Sequence, residues 1–328
     1  MNRLPFALLC ALALPCAAAG PELVEVRKIW DAGKHNAFTD LLRWRGQWWC
    51  TFREGDDHVG GDGKARVLVS SDGERWRPAA LIAEEGIDLR DPKICVTPDD
   101  RLMLVMGGSV YGGTKVLKGR HPRVVFSADG AKWSAPQRVL SEGEWLWRAM
   151  WYEGTCYALS YNASLKPRTL KLFTSTNGVD YELRTQLDTP NVSGEATMRF
   201  LKSGEVAMLV RCNGGGHIGF SKPPLREWTW QPTDYQLGGP NFIELPDGRL
   251  IAGSRLWPGG TKTTGKAQFA LFEMSRAGLK PILTLPSGGD CSYPGLVWHD
   301  GLLWVSYYSS HEGKSSIYVA KVKLPPAN

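Results

Sequence analysis

Apolar and polar residues along this chain alternate in short runs and never settle into a helical period. Runs of four to eight residues rich in Val, Leu, Trp, Tyr and Phe are broken by Gly, Asp, Asn and Pro, the pattern of many short antiparallel strands. Tight-turn sequences sit between pairs of these runs: "PDDR" (Pro98 to Arg101), "KSGE" (Lys202 to Glu205), "PDGR" (Pro246 to Arg249) and "HDG" (His299 to Gly301). Each predicts a hairpin.

The hairpin recurs six times. Its copies begin at Phe38, Asp91, Arg148, Glu195, Asn241 and Tyr293, spaced by about 50 residues, the period of propeller blades. A second pair of apolar runs follows each copy except the last, where "SSIYVAKVKL" stands alone, while "ELVEVRKIW" precedes the first copy as one strand extra. The expectation is an all-β, six-bladed β-propeller whose N-terminal strand completes the last blade. Closing the ring in this way leaves only short, protected sheet edges. Residues 20–328 read as one domain.

Residues 1–19 stand apart. Arg3, the apolar stretch Leu4 to Leu14 and the small residues Ala17 to Ala19 have the order of a secretory signal peptide. Export to a secreted or periplasmic location is the expectation, with no membrane association once the signal is removed. Cys50, Cys95, Cys156, Cys212 and Cys291 would remain, widely spaced and without a CxxC pair. They are neither a dense disulfide framework nor a zinc site. The 39 Lys and Arg against 33 Asp and Glu give a net charge of only +6, scattered singly, which argues against nucleic acid as a partner. Fourteen Trp fill blades and also suit stacking on flat partners such as sugar rings.

One polar turn is repeated at matching places in the first three blades: "SSDGERW" from Ser70, "SADGAKW" from Ser127 and, more loosely, "STNGVDY" from Ser175. The Asp accepts backbone N–H groups, the Gly supplies a left-handed position and the ring packs underneath. This resembles the Asp box, Ser-x-Asp-x-Gly-x-Thr-Trp, of the sialidase superfamily, shortened by one residue. The box is structural and lies away from substrate.

A propeller binds ligands at one end of its channel, so the residues beginning each inner strand are the first candidates. These are His35-Asn36, Arg90-Asp91, Trp147-Arg148, Gly194-Glu195, Pro240-Asn241 and Ser292-Tyr293. Arg53, Arg211 and Arg255 close the second strands of blades one, four and five. Placed around one opening, they would hold a carboxylate, a sulfate or hydroxyls by forked hydrogen bonds. His35, His58 and His311 are further candidates for the mouth. Six scattered His without HxH or HExxH spacing do not form a metal motif, and no cofactor motif is present.

The resemblance extends to "CSYPGLVWHDGLLWVSYY" and "SGEATMRFLKSGEVAMLVR". It implies that Tyr293 is a nucleophile, the known exception among glycosidases, with Glu195 as its base. It further implies that Arg211 and Arg255 hold substrate, and that Asp62, or else Asp57 or Asp56, is the acid/base. Where the family has Tyr/Phe-Arg-Ile-Pro, this chain has "HNAF": His35-Asn36 replaces Tyr-Arg, and either Arg53 reaches the same space from the next strand or the carboxylate clamp is incomplete. The implied function is a secreted sialidase-like glycoside hydrolase, exo-acting and retaining, on a terminal sugar that the resemblance implies is acidic. The alternatives are a non-catalytic carbohydrate-binding propeller, or a propeller glycosidase or polysaccharide lyase acting on uronic or neutral sugars, the lyase with Tyr293 as base.

Overall fold

The computed structural model describes residues 20–60, 63–112, 115–162, 164–165, 168–191, 193–257 and 266–327. The signal-peptide expectation at 1–19 and the acid expectation at Asp62 therefore lie outside the described residues. Those described form strands and turns with no helix. Six four-stranded antiparallel sheets make the six blades of a propeller. Five are simple meanders. In the sixth, the N-terminal strand Glu22–Trp30 pairs with the C-terminal strand Ser316–Lys323, from Glu22 opposite Lys323 to Trp30 opposite Ile317, as the strand arithmetic predicts.

The inner strands are His35–Trp44, Asp88–Val96, Glu144–Tyr152, Ser193–Phe200, Asn241–Glu244 and Cys291–His299. Each touches the inner strand of the blade on either side, so these six strands line the axis. Between blades the core is Val, Leu and Trp, as in the close pair Trp48–Trp304 with ring centroids 4.2 Å apart.

The three repeated turns fall between the third and fourth strands of blades one to three. In the first, Asp72 Oδ1 accepts the N–H groups of Glu74 and Arg75, and the Trp76 indole donates to the Gly73 carbonyl at 3.0 Å. Their glycines lie flat on the neighbouring blade. A Cβ at Gly73 would stand 2.4 Å from the Trp304 ring, and one at Gly130 would stand 2.0 Å from the Trp49 ring. The repeat therefore builds the contact from one blade to the next, a structural role at a distance from the axis.

The inner strands of blades one, two, three, four and six each carry a bulge near their start. The register slips between Ala37 and Asp40, Arg90 and Lys93, Leu146 and Arg148, Ser193 and Ala196, and Ser292 and Gly295. A bulge frees a residue from the ladder and re-aims its side chain. The residues freed are Phe38, Asp91, Trp147, Glu195 and Tyr293. Phe38, Asp91 and Tyr293 adopt φ of 67°, 52° and 53°, a left-handed conformation uncommon outside Gly and tolerated where the fold imposes it.

Candidate active site

Tyr293 on blade six and Glu195 on blade four, with blade five between them, meet at the axis. The Tyr293 hydroxyl donates to Glu195 Oε1 at 2.7 Å. Arg211 Nη1 donates to the same oxygen at 2.8 Å and lies 3.4 Å from the phenol oxygen. The backbone N–H of Gly239 donates to Glu195 Oε2 at 2.7 Å. Burial alone would raise the Glu195 pKa, but the Arg211 charge and these hydrogen bonds outweigh it and hold the carboxyl below its ordinary value. Burial, and after it the Glu195 charge, push the Tyr293 phenol well above its ordinary value against the pull of Arg211. At rest the proton is on the phenol and the charge on Glu195.

The Tyr293 ring is fixed on several sides. Phe38, Trp147 and Tyr308 pack around it with centroids 5.0, 5.5 and 5.8 Å away. Thr39 Oγ1 donates to its backbone carbonyl at 2.7 Å. Gly239, at φ 61°, lies against the ring so closely that a Cβ would stand 2.5 Å from Tyr293 Cγ. Beside the ring the buried Lys93 ammonium stands 5.5 Å from the Tyr293 centroid and 5.1 Å from that of Trp147, and donates to the Thr39 carbonyl at 2.9 Å. Burial lowers its pKa to about 8, against the opposing charges of Asp40, Asp91 and Glu195. A cleft of about 120 Å³ opens beside Glu195, lined by Tyr161, Arg168, Gly194, Arg211, Cys212 and Asn213. A larger groove, about 400 Å³, lies between blades three and four, but among the described residues Arg184 is the one charged side chain lining it.

A second polar cluster forms around Asp290. Its Oδ1 accepts Arg255 Nη2 at 3.1 Å and the Tyr308 hydroxyl at 2.8 Å. Its Oδ2 lies 2.7 Å from His58 Nδ1 and 3.3 Å from His35 Nε2. Burial opposes ionisation, yet the two imidazoles and Arg255 hold the carboxyl far below its ordinary value. This cluster adjoins the first: the Arg255 guanidinium lies 5.9 Å from the Tyr293 centroid, and Phe38 packs against both His58 and Tyr293. His35, His58 and Asp290 present donor atoms within 4.8 Å of one another, a convergence their sequence spacing does not show. The donor types suit a divalent ion, but Arg255 already neutralises the carboxylate and would repel a cation.

Of the residues singled out in the sequence, Tyr293, Glu195, Arg211, Arg255, His35 and Asp91 gather around the mouth. Asp91 is buried, with Oδ1 unpartnered among the described residues, and burial raises its pKa against the pull of Arg90 and Lys93. Arg90 is a wall residue: it donates to the His58 carbonyl at 2.8 Å and lies over the Phe38 ring.

Four expectations are corrected. Arg53 is not at the opening; it is wholly buried and ion-paired with Asp88 at 2.6 and 3.0 Å, with Nη1 on the Asp57 carbonyl. It cannot fill the place left by Asn36. Asn36 itself is buried and bonds the carbonyls of Gly33 and Ser315, tying blade one to blade six. Arg148 is turned to Asp40 in a buried pair at 2.8 Å. Asn241 is buried and spends its amide on the Pro294 carbonyl, the Phe242 N–H and Arg199. In each case the polar group is spent on another blade of the ring rather than on the mouth. His311 bonds Ser309 at the rim. Asp56 pairs with Lys34 in solvent. Asp57 is exposed and held at about 2, first by Lys115 and then by the His58 N–H, so it is a carboxylate at neutral pH with no proton to give.

Asp290, Gly239 and Lys93 were not foreseen. Asp290 precedes Tyr293 by three residues, and "GG" at 238–239 is followed by Pro240 and then the blade-five strand. Those are the signals available, and neither says what the residue touches.

Ring and site together define a propeller with an ionisable constellation at one end of its axis. No family model matches the sequence, and no curated protein matches it. Solved structures do match. A protein of unknown function from Dyadobacter fermentans superposes with a TM-score of 0.78 at 20% identity, over 93% of this chain and 99% of that one. A Trypanosoma rangeli sialidase in complex with the inhibitor DANA superposes with a TM-score of 0.70 at 13% identity, over 93% of this chain. This chain spans 60% of that sialidase's length. An α-L-arabinofuranosidase from Fusarium graminearum superposes with a TM-score of 0.62 at 15% identity, over 88% and 93% of the two chains. At these identities the likeness is one of fold. Glycoside hydrolases of two different specificities share it.

Proposed function

We propose that this protein is a propeller glycoside hydrolase of sialidase type, exo-acting and retaining, with Tyr293 as nucleophile. The observation that carries this reading is the Tyr293–Glu195–Arg211 constellation, a phenol bonded to a buried carboxylate that is itself held by a guanidinium. A phenol needs such a base to attack at neutral pH. The resting charges oppose proton transfer, so the transfer accompanies attack. As the Tyr293 oxygen bonds the anomeric carbon, its proton passes to Glu195 and the leaving-group oxygen departs with a proton from the blade-one loop, a role assigned here to Asp62. Water then releases the sugar, giving a proton to the Asp62 carboxylate, while Glu195 returns the phenol proton. Fold-level similarity to a sialidase and an arabinofuranosidase supports glycoside chemistry on this scaffold. Residues 1–19 support export, which intact mass of the secreted protein tests.

The deciding experiment is hydrolysis of aryl sialoside, glucuronide and α-L-arabinofuranoside by the wild type and Tyr293→Phe. Turnover of one of them is expected, reduced at least about 1,000-fold by the substitution. Undiminished turnover in Tyr293→Phe would sink the nucleophile assignment.

A further inference from the structure

The three arginines that close second strands are each paired within the chain. Arg53 is buried against Asp88, Arg211 is bonded to Glu195 and Arg255 is bonded to Asp290. The first two arrangements belong to the blade seam and the nucleophile. The third also crosses a seam, with Arg255 Nε donating to the Cys291 carbonyl of blade six at 2.7 Å, but unlike the buried Asp88 its carboxylate is open to the mouth. Asp290 is partly exposed, and its two oxygens collect four donor groups: Arg255, Tyr308, His35 and His58. That is how a protein binds the carboxylate of a ligand, with forked and charge-assisted hydrogen bonds. Here the carboxylate belongs to the chain.

Resting on the hydrolase reading above, we infer that Asp290 is a built-in carboxylate that occupies the anion position of the mouth, so that the site selects a neutral terminal sugar over one carrying a carboxylate. Two features of the neighbourhood fit the same choice. Asn36, where an added guanidinium would stand in the sialidase pattern, is turned inward onto Gly33 and Ser315. Phe38 fills the space between His58 and Tyr293 with an apolar ring. A substrate carboxylate at this corner would either displace Asp290 from four partners or stand beside it as a like charge. Rejection by an unpaired or repelling charge is an effective source of specificity. A neutral sugar meets no such penalty.

The test uses an acid and its neutral ester, closely matched in shape and different in charge, together with a neutral pentose. Binding of N-acetylneuraminic acid, its methyl ester and L-arabinose to the full chain carrying Tyr293→Phe is followed by ligand-observed NMR, with and without Asp290→Asn. The ester and the pentose are expected to bind at least about 10-fold more tightly than the acid. Asp290→Asn should narrow the gap between ester and acid by a gain in affinity for the acid. A general loss of structure in that variant would not mimic this, because a misfolded site gains nothing, and the ester-to-acid ratio in the Asp290 background is an independent reading. Acid binding as tight as ester binding, or no binding of any of the three, overturns the inference. In parallel, wild-type turnover separates the two readings. Preference for neutral binders with no hydrolysis of any aryl glycoside keeps the neutral-sugar site and removes the hydrolase. Efficient sialoside hydrolysis keeps the hydrolase and removes the neutral-sugar site.

Discussion

Lys93 shows what a single buried charge does here. Its folded-state pKa of about 8 lies below the ordinary lysine value of 10.5, chiefly because burial penalises the ammonium. Below pH 8 both folded and unfolded chains hold the proton, and the penalty acts in full. Between about 8 and 10.5 the folded chain releases the proton first, so the unfolded state binds more protons and stability rises with pH. We expect this residue to contribute a gain of at most about 3 kcal/mol across that window, and Lys93→Met to remove it. Denaturant titrations at pH 7 and pH 9.5 check this, and an unchanged pH slope in Lys93→Met would refute it. The residue type was plain in the sequence, but its desolvation was not. A Lys next to Pro92 becomes a buried cation only because Trp147 and Tyr293, from two other blades, close over it.

At the scale of the element, the bulge organises the site. In a regular strand, alternate side chains point to opposite faces, and the inner-strand residues would spread between the two flanking blades. The register slips near the strand starts free Phe38, Asp91, Trp147, Glu195 and Tyr293 from that alternation. The turn before blade five completes the arrangement, since Gly239 both donates to Glu195 and lies under the Tyr293 ring. Gly239→Ala combines a left-handed φ with a clash against that ring. Expected are a loss of about 1–3 kcal/mol in stability and a fall in kcat of about 100-fold from displacement of Tyr293, the proposed nucleophile. Thermal unfolding and steady-state kinetics on the same preparation test both, and full activity would show that the ring does not depend on this contact. Strand order and blade number were legible because the two-residue period and the turn residues are local signals. The bulges were not, since an extra residue in a strand leaves the apolar pattern almost unchanged.

For the whole molecule, the closure decides stability. The strand Glu22–Trp30 covers the edge of Ser316–Lys323, and its end is tied to blade one by the Trp30 indole on Glu54 at 2.8 Å. A chain starting at residue 31 would leave the last blade with an open edge, a template for association. Such a truncation should unfold at a lower temperature and form larger species on size exclusion. A peptide of residues 20–30 added in trans should reverse both effects. A monomeric truncation of unchanged melting temperature would mean that closure rests on the inner strands alone.

The sequence by itself determined the six-fold repeat, the four-stranded unit, the strand that closes the ring and the residue types at each strand's end. These follow from local periodicity and turn chemistry, which a chain displays one segment at a time. It also placed Tyr293, Glu195, Arg211 and Arg255 at corresponding positions in their blades. Only the tertiary structure decided which of the polar groups have a partner already. Arg53 and Asn36 look like ligand-binding residues until the neighbouring blade supplies Asp88 and the Ser315 carbonyl. Asp290 looks like a loop residue until Arg255, Tyr308, His35 and His58 converge on it. The physical reason is that a charge is available to a ligand only if nothing in the folded chain has neutralised it, and the neutralising groups here come from blades distant in sequence.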